Sequence, residues 1–174
     1  MLLLYLTIGV LSLYIIFLFN RIVRDKNLAL SGWRDIDVQL KLRHDLIPKL
    51  VDTVKHYAKY EQATLEHVTL LRQQSNIQQL PHERSHTETD INRLLSGIFI
   101  LSEQYPDIKA SDHFQSLFDQ LVHVEDQIQY ARRFYNGAVK NYNTRIESFP
   151  DIIIARIFGF KLKEYFQIEN TIQG

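Results

Sequence analysis

The chain opens with an uncharged apolar run, residues 2–19 (LLLYLTIGVLSLYIIFLF), in which only three residues are not hydrophobic. As a helix rising about 1.5 Å per residue, this run is about 27 Å long, close to the roughly 30 Å hydrocarbon layer of a bilayer. Arg21 and Arg24 can extend to the headgroups at its end. The run therefore predicts a transmembrane anchor over residues 1–22.

The charges flanking this run indicate its orientation. No Lys or Arg precedes it, whereas Arg21, Arg24, Lys26 and Arg34 follow it closely. By the positive-inside bias, the N-terminus is expected outside and the body of the chain in the cytoplasm. A cleaved signal peptide would need a basic leader and a small-residue cleavage site, and neither is present. We therefore expect an uncleaved, single-pass anchor.

Composition limits what residues 23–174 can do. They suffice for one domain with its own core. The absence of cysteine excludes disulfides, thiolate metal sites and cysteine nucleophiles. Twenty basic and twenty acidic residues leave no net charge, and no dense basic patch occurs beyond the cations beside the anchor. The expected partner is the lipid bilayer, and no nucleic acid is expected.

Apolar residues recur at intervals of three and four, and strand-like alternation is absent. The first such pattern predicts a long amphipathic helix from Trp33 onward, which can run on from the anchor. Its apolar face comprises Trp33, Ile36, Leu40, Ile47, Leu50, Val54, Tyr57, Leu65, Val68 and Leu71.

Residues 73–86 lose this period and are predicted to be a polar connection around Pro81. Thr87 is then expected to cap a shorter helix that stops before Pro106. The apolar face of that helix comprises Ile91, Leu94, Leu95, Ile98 and Leu101.

Ser111 is predicted to cap a second long helix, which Pro150 ends. Helices with one apolar face satisfy one another by packing side by side. The predicted fold is therefore all-α: an N-terminal transmembrane helix followed by an antiparallel bundle of about four helices, two of them long. The second long helix has the face Phe114, Leu117, Phe118, Leu121, Val124, Ile128, Ala131, Tyr135, Ala138, Val139, Tyr142 and Ile146.

The amphipathic segment 151–168 mixes Ile, Phe and Tyr with basic residues. It is expected to cap the bundle, because soluble helices with one apolar face are the commoner kind. The alternative is that it lies on the bilayer.

Polar residues interrupt the apolar faces. Arg43 falls on the face of the first long helix, and Glu125, Arg132, Asn136 and Asn143 follow one side of the second. Packed helices rarely keep such groups without partners. We expect an Arg43–Glu125 pair, completed by the other three residues, to fix the register of the two helices. This structural network is favoured over catalysis.

Arg43, His44 and Asp45 precede Pro48, which frees the carbonyl of His44 and predicts a helix kink. Asp45 is counted with the structural network, or alternatively caps a restarted helix. His44 and Asp45 project about 100° apart on a helix, so they are not expected to act as a base and its orienting partner. A hydrolase using Glu125 or His44 is the least favoured class of function.

No metal or cofactor site is expected. The di-iron carboxylate class needs two Glu-x-x-His pairs, and the chain has one, from Glu83 to His86. His82 and His86 are also four apart, but they lie in the predicted connection. Glycine clusters for phosphate or dinucleotide binding are absent. We therefore predict no catalytic, cofactor-binding or metal-ligating residues.

Several blocks in order resemble the bacterial LemA family. Residues 36–61 (IDVQLKLRHDLIPKLVDTVKHYAKYE) are similar to its signature, and 105–114 (YPDIKASDHF) and 131–150 (ARRFYNGAVKNYNTRIESFP) to its later blocks. FGF at 158–160 and EYF at 164–166 resemble its closing motif. The resemblance covers nearly the whole chain.

The resemblance implies a membrane-anchored, all-helical protein of the bacterial inner membrane, with no catalytic residue to carry across. It also implies, by gene association only, a partner such as a membrane metalloprotease or a TPM-domain protein. The expected function is a non-enzymatic scaffold or adaptor that binds another protein or forms a homo-oligomer. The alternative is a self-assembling structural protein that organises or shapes membrane.

Overall fold

The structure is a computed structural model that describes residues 1–55, 62–77 and 81–167. These residues form helices and contain no strand, which confirms the all-α prediction. The helices are α1 (Leu2–Lys55), α2 (Gln62–Ile77), α3 (Pro81–Gln104), α4 (Pro106–Lys109), α5 (Asp112–Glu147) and α6 (Asp151–Ile157).

The chain divides into two compact units. Unit 1 consists of Met1–Arg34 and Ala131–Tyr165, and unit 2 of Asp35–Tyr130 with the end of the chain from Phe166. Helices α1 and α5 therefore each contribute residues to both units.

In unit 1, the first part of α1 stands apart from the core. Its apolar side chains are exposed from Met1 to Phe17, and packing begins at Leu18. Among the described helices, α1 alone is long and apolar enough to cross a membrane. The core at its foot is a cluster of Leu18, Ile22, Tyr142, Ile146, Ile154 and Ala155.

The chain after α6 is fastened to α5 by side chains that bind backbone. The Tyr142 hydroxyl donates to the Lys161 carbonyl (3.0 Å), and the Tyr135 hydroxyl donates to the Glu164 carbonyl (2.7 Å). The Asn143 amide binds both the carbonyl and the N–H of Lys163, each at 2.9 Å. Residues 158–165, here called the strap, therefore follow α5 without forming a helix. Residue 168 of the predicted amphipathic segment lies outside the described residues.

Helices α1 and α5 approach closely at Gly32. A Cβ atom at this position would lie 3.0 Å from the Tyr135 Cα and 3.0 Å from the Phe134 ring. One residue on, the Trp33 ring lies 5.5 Å from the Tyr135 ring, centroid to centroid. Only a residue without a side chain fits this crossing without displacing the backbone of α5.

The core of unit 2 comes from the apolar faces of α1, α2, α3 and α5, with Ile108 from α4. Tyr57 lies outside the described residues, as do the side chains of Leu65 and Leu101. The buried members include Ile36, Leu40, Ile47, Leu50, Val51, Val54, Val68, Ile91, Leu95, Ile98, Ile108, Phe114, Leu117, Leu121, Val124 and Ile128.

The polar connection predicted at 73–86 is wrong over 73–77 and 81–86, which are helical, and residues 78–80 lie outside the described residues. Helix α2 continues to Ile77 and α3 begins at Pro81, so Thr87 lies inside a helix and is buried. Proline suits the first helical position, where its missing N–H would have no partner. His82, Glu83 and His86, which follow it, are exposed. The buried polar residues of this stretch are Arg84, Ser85, Thr87, Glu88 and Thr89. Their lack of apolar period therefore does not indicate a loop.

Two other predicted boundaries are confirmed. Helix α3 ends at Gln104, before Pro106. Ser111 precedes α5, and its hydroxyl accepts a hydrogen bond from the Phe114 backbone N–H at 3.4 Å.

Candidate functional site

A buried ionic cluster lies at the centre of unit 2. Arg43 is carried inward because it shares the α1 face of Leu40 and Ile47, and it is 1% exposed. Its Nη1 donates to Glu125 Oε2 at 2.9 Å and also to Asn92 Oδ1. Its other terminal nitrogen forms an ion pair with Glu88.

Glu88 on α3 is 0% exposed and is the point at which three donors meet. Besides Arg43, it accepts hydrogen bonds from His44 Nε2 at 2.9 Å and from the Ser75 hydroxyl. The Asn92 amide lies 3.4 Å from the second oxygen of Glu125. We call this group the Arg43 cluster; it consists of Arg43, His44, Ser75, Glu88, Asn92 and Glu125, from α1, α2, α3 and α5.

His44 lies between two acceptor-bearing side chains. Its Nδ1 is 2.8 Å from Asn76 Oδ1, opposite the contact with Glu88. Burial lowers the pKa of His44 to about 4; the hydrogen bond to Asn76 opposes this shift, and the positive charges of Arg43 and Arg84 add to it. At neutral pH the ring is therefore uncharged and carries a single N–H, which Nε2 donates to the Glu88 carboxylate. Nδ1 is then an acceptor, and it pairs with Asn76 when that amide presents its N–H group to the ring.

Burial also lowers the pKa of the Arg43 guanidinium, while the charge of Glu125 opposes the shift. An arginine side chain keeps its proton even in such surroundings. The cluster thus contains one permanent positive charge held by two carboxylates.

The Glu88 carboxylate of the Arg43 cluster is buried against its own partners. A general base must come within hydrogen-bond reach of the proton that it abstracts, yet the carboxylate of Glu88 is directed at Arg43, His44 and Ser75. Across residues 1–55, 62–77 and 81–167, no group of three or more His, Asp or Glu side chains is arranged to hold a metal ion. This arrangement stabilises helix packing.

The structure confirms the predicted Arg43–Glu125 pair and gives Asn143 other partners. It brings Arg43 and Glu125 into contact, whereas Arg132, Asn136 and Asn143 belong to unit 1. There, Asn143 holds the strap rather than the Arg43 cluster.

Asp45 is exposed and lies outside the cluster, and α1 continues through Pro48 to Lys55, so Asp45 does not cap a restarted helix. The kink at Pro48 stays a prediction.

Sequence reasoning missed the contribution of α3. Glu88 and Asn92 complete the Arg43 cluster, and Arg84 pairs with Asp37 at 2.6 Å. Arg84, Glu88 and Asn92 are spaced four apart, the spacing that places side chains on one helix face. This signal is hidden because Arg84 falls in the segment 73–86, where the loss of apolar period predicts a connection.

A second feature of unit 2 is an apolar cleft of about 460 Å³ between α3, α4 and α5. The rings of Phe99 and Phe118 meet edge to face in its wall, 4.7 Å apart. Ile100 stands exposed on its rim, and an exposed ion pair between Lys109 and Glu103 (2.6 Å) flanks it. The apolar side chains lining this cleft are Phe99, Ile100, Phe114 and Phe118.

These features define a class: an all-helical protein with one N-terminal helix apolar enough to span a membrane and a closed ionic core. The LemA family model matches residues 32–173, and the chain belongs to the LemA family. The resemblance seen in the sequence is thereby confirmed.

The chain is similar to Protein LemA of Metamycoplasma hominis, with 28% identity over 145 residues, covering 83% of this chain and 66% of that protein. It also resembles Magnetosome protein MamQ 2 of Paramagnetospirillum magneticum, with 40% identity over 73 residues. That match covers 42% of this chain and 27% of MamQ 2. Magnetosome protein MamQ of Magnetospirillum gryphiswaldense is 35% identical over 72 residues, covering 41% of this chain and 26% of that protein. The chain therefore spans about a quarter of the MamQ proteins.

Proposed function

We propose that this LemA-family protein is a non-enzymatic scaffold, anchored in a membrane by the first part of α1, that acts through protein–protein contacts. One observation carries the proposal: Arg43 and Glu88, the charged pair at the centre of unit 2, are fully buried and directed at each other. Charged groups held in this way contribute to a specific packing arrangement. The surface available for function is then the exterior of the helices.

The apolar cleft is the part of that exterior best suited to another protein. Its aromatic wall and exposed aliphatic rim form a concave apolar surface, and charged side chains flank that surface. Interfaces concentrate their binding energy in such a centre surrounded by a polar rim. We infer that an apolar segment of a partner inserts between α3 and α5.

Gentle detergent extraction of the tagged full chain from its own membranes tests this proposal. Size-exclusion chromatography with light scattering is expected to show a stoichiometric complex with a second protein, or a defined homo-oligomer. Ile100→Asp should disrupt that complex, since it places a charge on the rim of the cleft. Leu70→Asp is the matched control, because Leu70 is 62% exposed, against 65% for Ile100, and does not line the cleft.

A monodisperse monomer without a partner would contradict the scaffold. A complex that withstands Ile100→Asp as well as Leu70→Asp would contradict the cleft as its binding surface.

A second candidate, a structural protein that organises membrane by self-assembly, is favoured by the exposed apolar residues near α6. These residues belong to unit 1, which also contains the anchor. They are Phe149, Ile153, Ile157 and Phe158. An amphipathic segment of this kind binds the bilayer through its apolar side chains. We infer that it forms a second lipid contact beside the anchor.

Flotation on liposomes of phosphatidylcholine alone distinguishes the two candidates. The deletion should remove residues 1–16 only, because Leu18 and Ile22 belong to the core cluster of unit 1. The structural candidate predicts that the shortened protein floats with liposomes and that Ile157→Asp with Phe158→Asp abolishes flotation. The scaffold predicts no flotation.

We further infer that the anchor lies in the bacterial inner membrane with the N-terminus outside and both units in the cytoplasm. The cysteine-free chain suits a labelling test. Leu70→Cys places a thiol on an exposed position of unit 2 that does not line the cleft. A membrane-impermeant maleimide should label it only after the cells are opened; labelling of intact spheroplasts would reverse the orientation.

A further inference from the structure

Unit 1 contains a cavity of about 700 Å³ where α1 emerges from its apolar part. Its walls come from α1, the C-terminal end of α5 and the start of α6. The charged residues that line it are Arg21, Arg24, Asp25, Lys140, Arg145 and Asp151.

The cations of this cavity outnumber the anions that neutralise them. Asp25 is buried and forms an ion pair with Arg145, and its other oxygen lies 3.7 Å from Arg24. One carboxylate is thus shared between two guanidinium groups. Arg21 and Lys140 add two further positive charges to the same walls. The cavity therefore attracts an anion.

Asp151 indicates a second property that a ligand of this cavity must have. It is 6% exposed and lines the cavity, yet its Oδ1 is buried without a hydrogen-bond partner. A buried acceptor left unpaired is costly, so such atoms normally have a partner. A ligand that suits the whole cavity brings a hydrogen-bond donor together with its negative charge.

The cavity lies at the height of lipid headgroups when residues 2–19 span the bilayer. Arg21 comes two residues after the apolar run, about 3 Å further along a helix. Its guanidinium is 5.6 Å from the centre of the Phe17 ring, within the exposed apolar part of α1. Phe149, largely exposed, stands at the cavity wall.

We propose that this cavity binds the headgroup of a membrane phospholipid. Arg21, Arg24 and Lys140 hold the phosphodiester, and an N–H or O–H of the headgroup donates to Asp151. Basic pockets beside transmembrane helices recognise lipid headgroups through the same chemistry. The inference rests on the membrane span of the proposed function and is independent of the scaffold role.

The need for both a phosphodiester and a hydrogen-bond donor distinguishes the common phospholipids as ligands. Phosphatidylethanolamine and phosphatidylglycerol each carry a phosphodiester and a donor, an ammonium in the first and hydroxyls in the second. Phosphatidylcholine carries the same phosphodiester, but its quaternary ammonium has no N–H to donate. The site is therefore expected to retain the first two lipids and to discriminate against the third.

Native mass spectrometry of the full chain in detergent, titrated separately with each of the three lipids, tests the proposal. The doubly substituted Arg24→Gln/Lys140→Gln should weaken the phosphatidylglycerol adduct by about 30-fold, given the attraction of each of the two basic residues for anionic headgroups. Both side chains are exposed, that of Arg24 by 74%, so we expect the double variant to fold. The matched control is Arg93→Gln/Lys109→Gln, which removes two exposed cations of unit 2.

Asp151→Asn is an independent test of the contact between Asp151 and the headgroup donor. It keeps a carbonyl oxygen for a hydroxyl donor but removes the charge that attracts an ammonium. The phosphatidylethanolamine adduct should therefore weaken more than the phosphatidylglycerol adduct. Equal retention of both would overturn the role of Asp151.

Three results would overturn the site itself: phosphatidylcholine bound as well as the other lipids, unchanged adducts in Arg24→Gln/Lys140→Gln, or displacement of lipid by equimolar glycerol 3-phosphate. The last result would assign the cavity to a soluble phosphate ester. Carbonate extraction of the wild-type chain tests the membrane span separately, because an integral anchor resists it whether or not the cavity selects lipids.

Discussion

Replacing Arg43 by Met is the sharpest perturbation of the Arg43 cluster. The substitution keeps a long apolar stem in the core but removes the charge that pairs with Glu88, which is fully buried, and with Glu125. Leaving one partner of a buried ion pair uncompensated costs about 3–5 kcal/mol. For a chain of this size, that loss corresponds to a melting temperature lower by about 6–20 °C.

The assay is urea unfolding of the full chain in detergent, followed by circular dichroism at pH 7. Arg93→Met is the matched control, because Arg93 forms an exposed ion pair with Asp90 (3.1 Å) on α3. Exposed pairs of this kind contribute about 0–1 kcal/mol. Arg43→Met should therefore lose several times more stability than Arg93→Met.

The double variant Arg43→Met/Glu88→Gln tests the reason for the loss. It removes both charges, so the buried carboxylate no longer lacks a counter-ion. It should be destabilised by less than the sum of the two single variants, because residues in direct contact are energetically coupled. If Arg43→Met lost no more than Arg93→Met, the argument that this charge is buried and paired would be refuted.

Three further predictions concern single positions. The pKa of His44 is about 4 in the folded chain and about 6.5 in the unfolded chain, so the unfolded chain is protonated first as the pH falls. The contribution of His44 to the free energy of unfolding is therefore fully present above about pH 6.5, and up to about 3 kcal/mol of it is lost as the pH falls to 4. His44→Gln should show a weaker pH dependence in urea unfolding, and an unchanged one would contradict this account. Asn143→Ala removes two hydrogen bonds to Lys163 and should lower the free energy of unfolding by about 1–3 kcal/mol. Hydrogen exchange at the Lys163 amide should become faster. Unaltered exchange would show that Asn143 does not hold the strap. Gly32→Ala should destabilise the protein by about 1–3 kcal/mol. Gly97→Ala is the control: a Cβ atom there has no neighbour within 4 Å, so the substitution should stabilise α3 by up to about 1 kcal/mol. Equal melting temperatures of the two variants would contradict the close crossing at Gly32.

The long helices could be predicted because their apolar residues repeat with the helical period. Ile36, Leu40 and Ile47 are buried along one face of α1, and Arg43 follows them inward because it shares that face. The helix end before Pro106 and the hydroxyl of Ser111 before α5 were also predictable, since each rests on one residue type with a definite backbone effect.

The contribution of α3 to the site could not be predicted from apolar period. Arg84, Glu88 and Asn92 form a buried polar face, and such a face has the same composition as an exposed loop until its partners are known. The strap was missed for a related reason. It is held by side chains that bind the backbone of Lys161, Lys163 and Glu164, and a backbone acceptor carries no sequence signal.

Site-specific photocrosslinking in intact membranes tests most directly whether the exterior of the helices carries the function. A photoreactive amino acid at position 100 of the full chain should give one adduct of defined mass, and the same group at position 70 should not. If position 100 gave no adduct, or both positions gave the same diffuse set, the scaffold proposed for this protein would be contradicted.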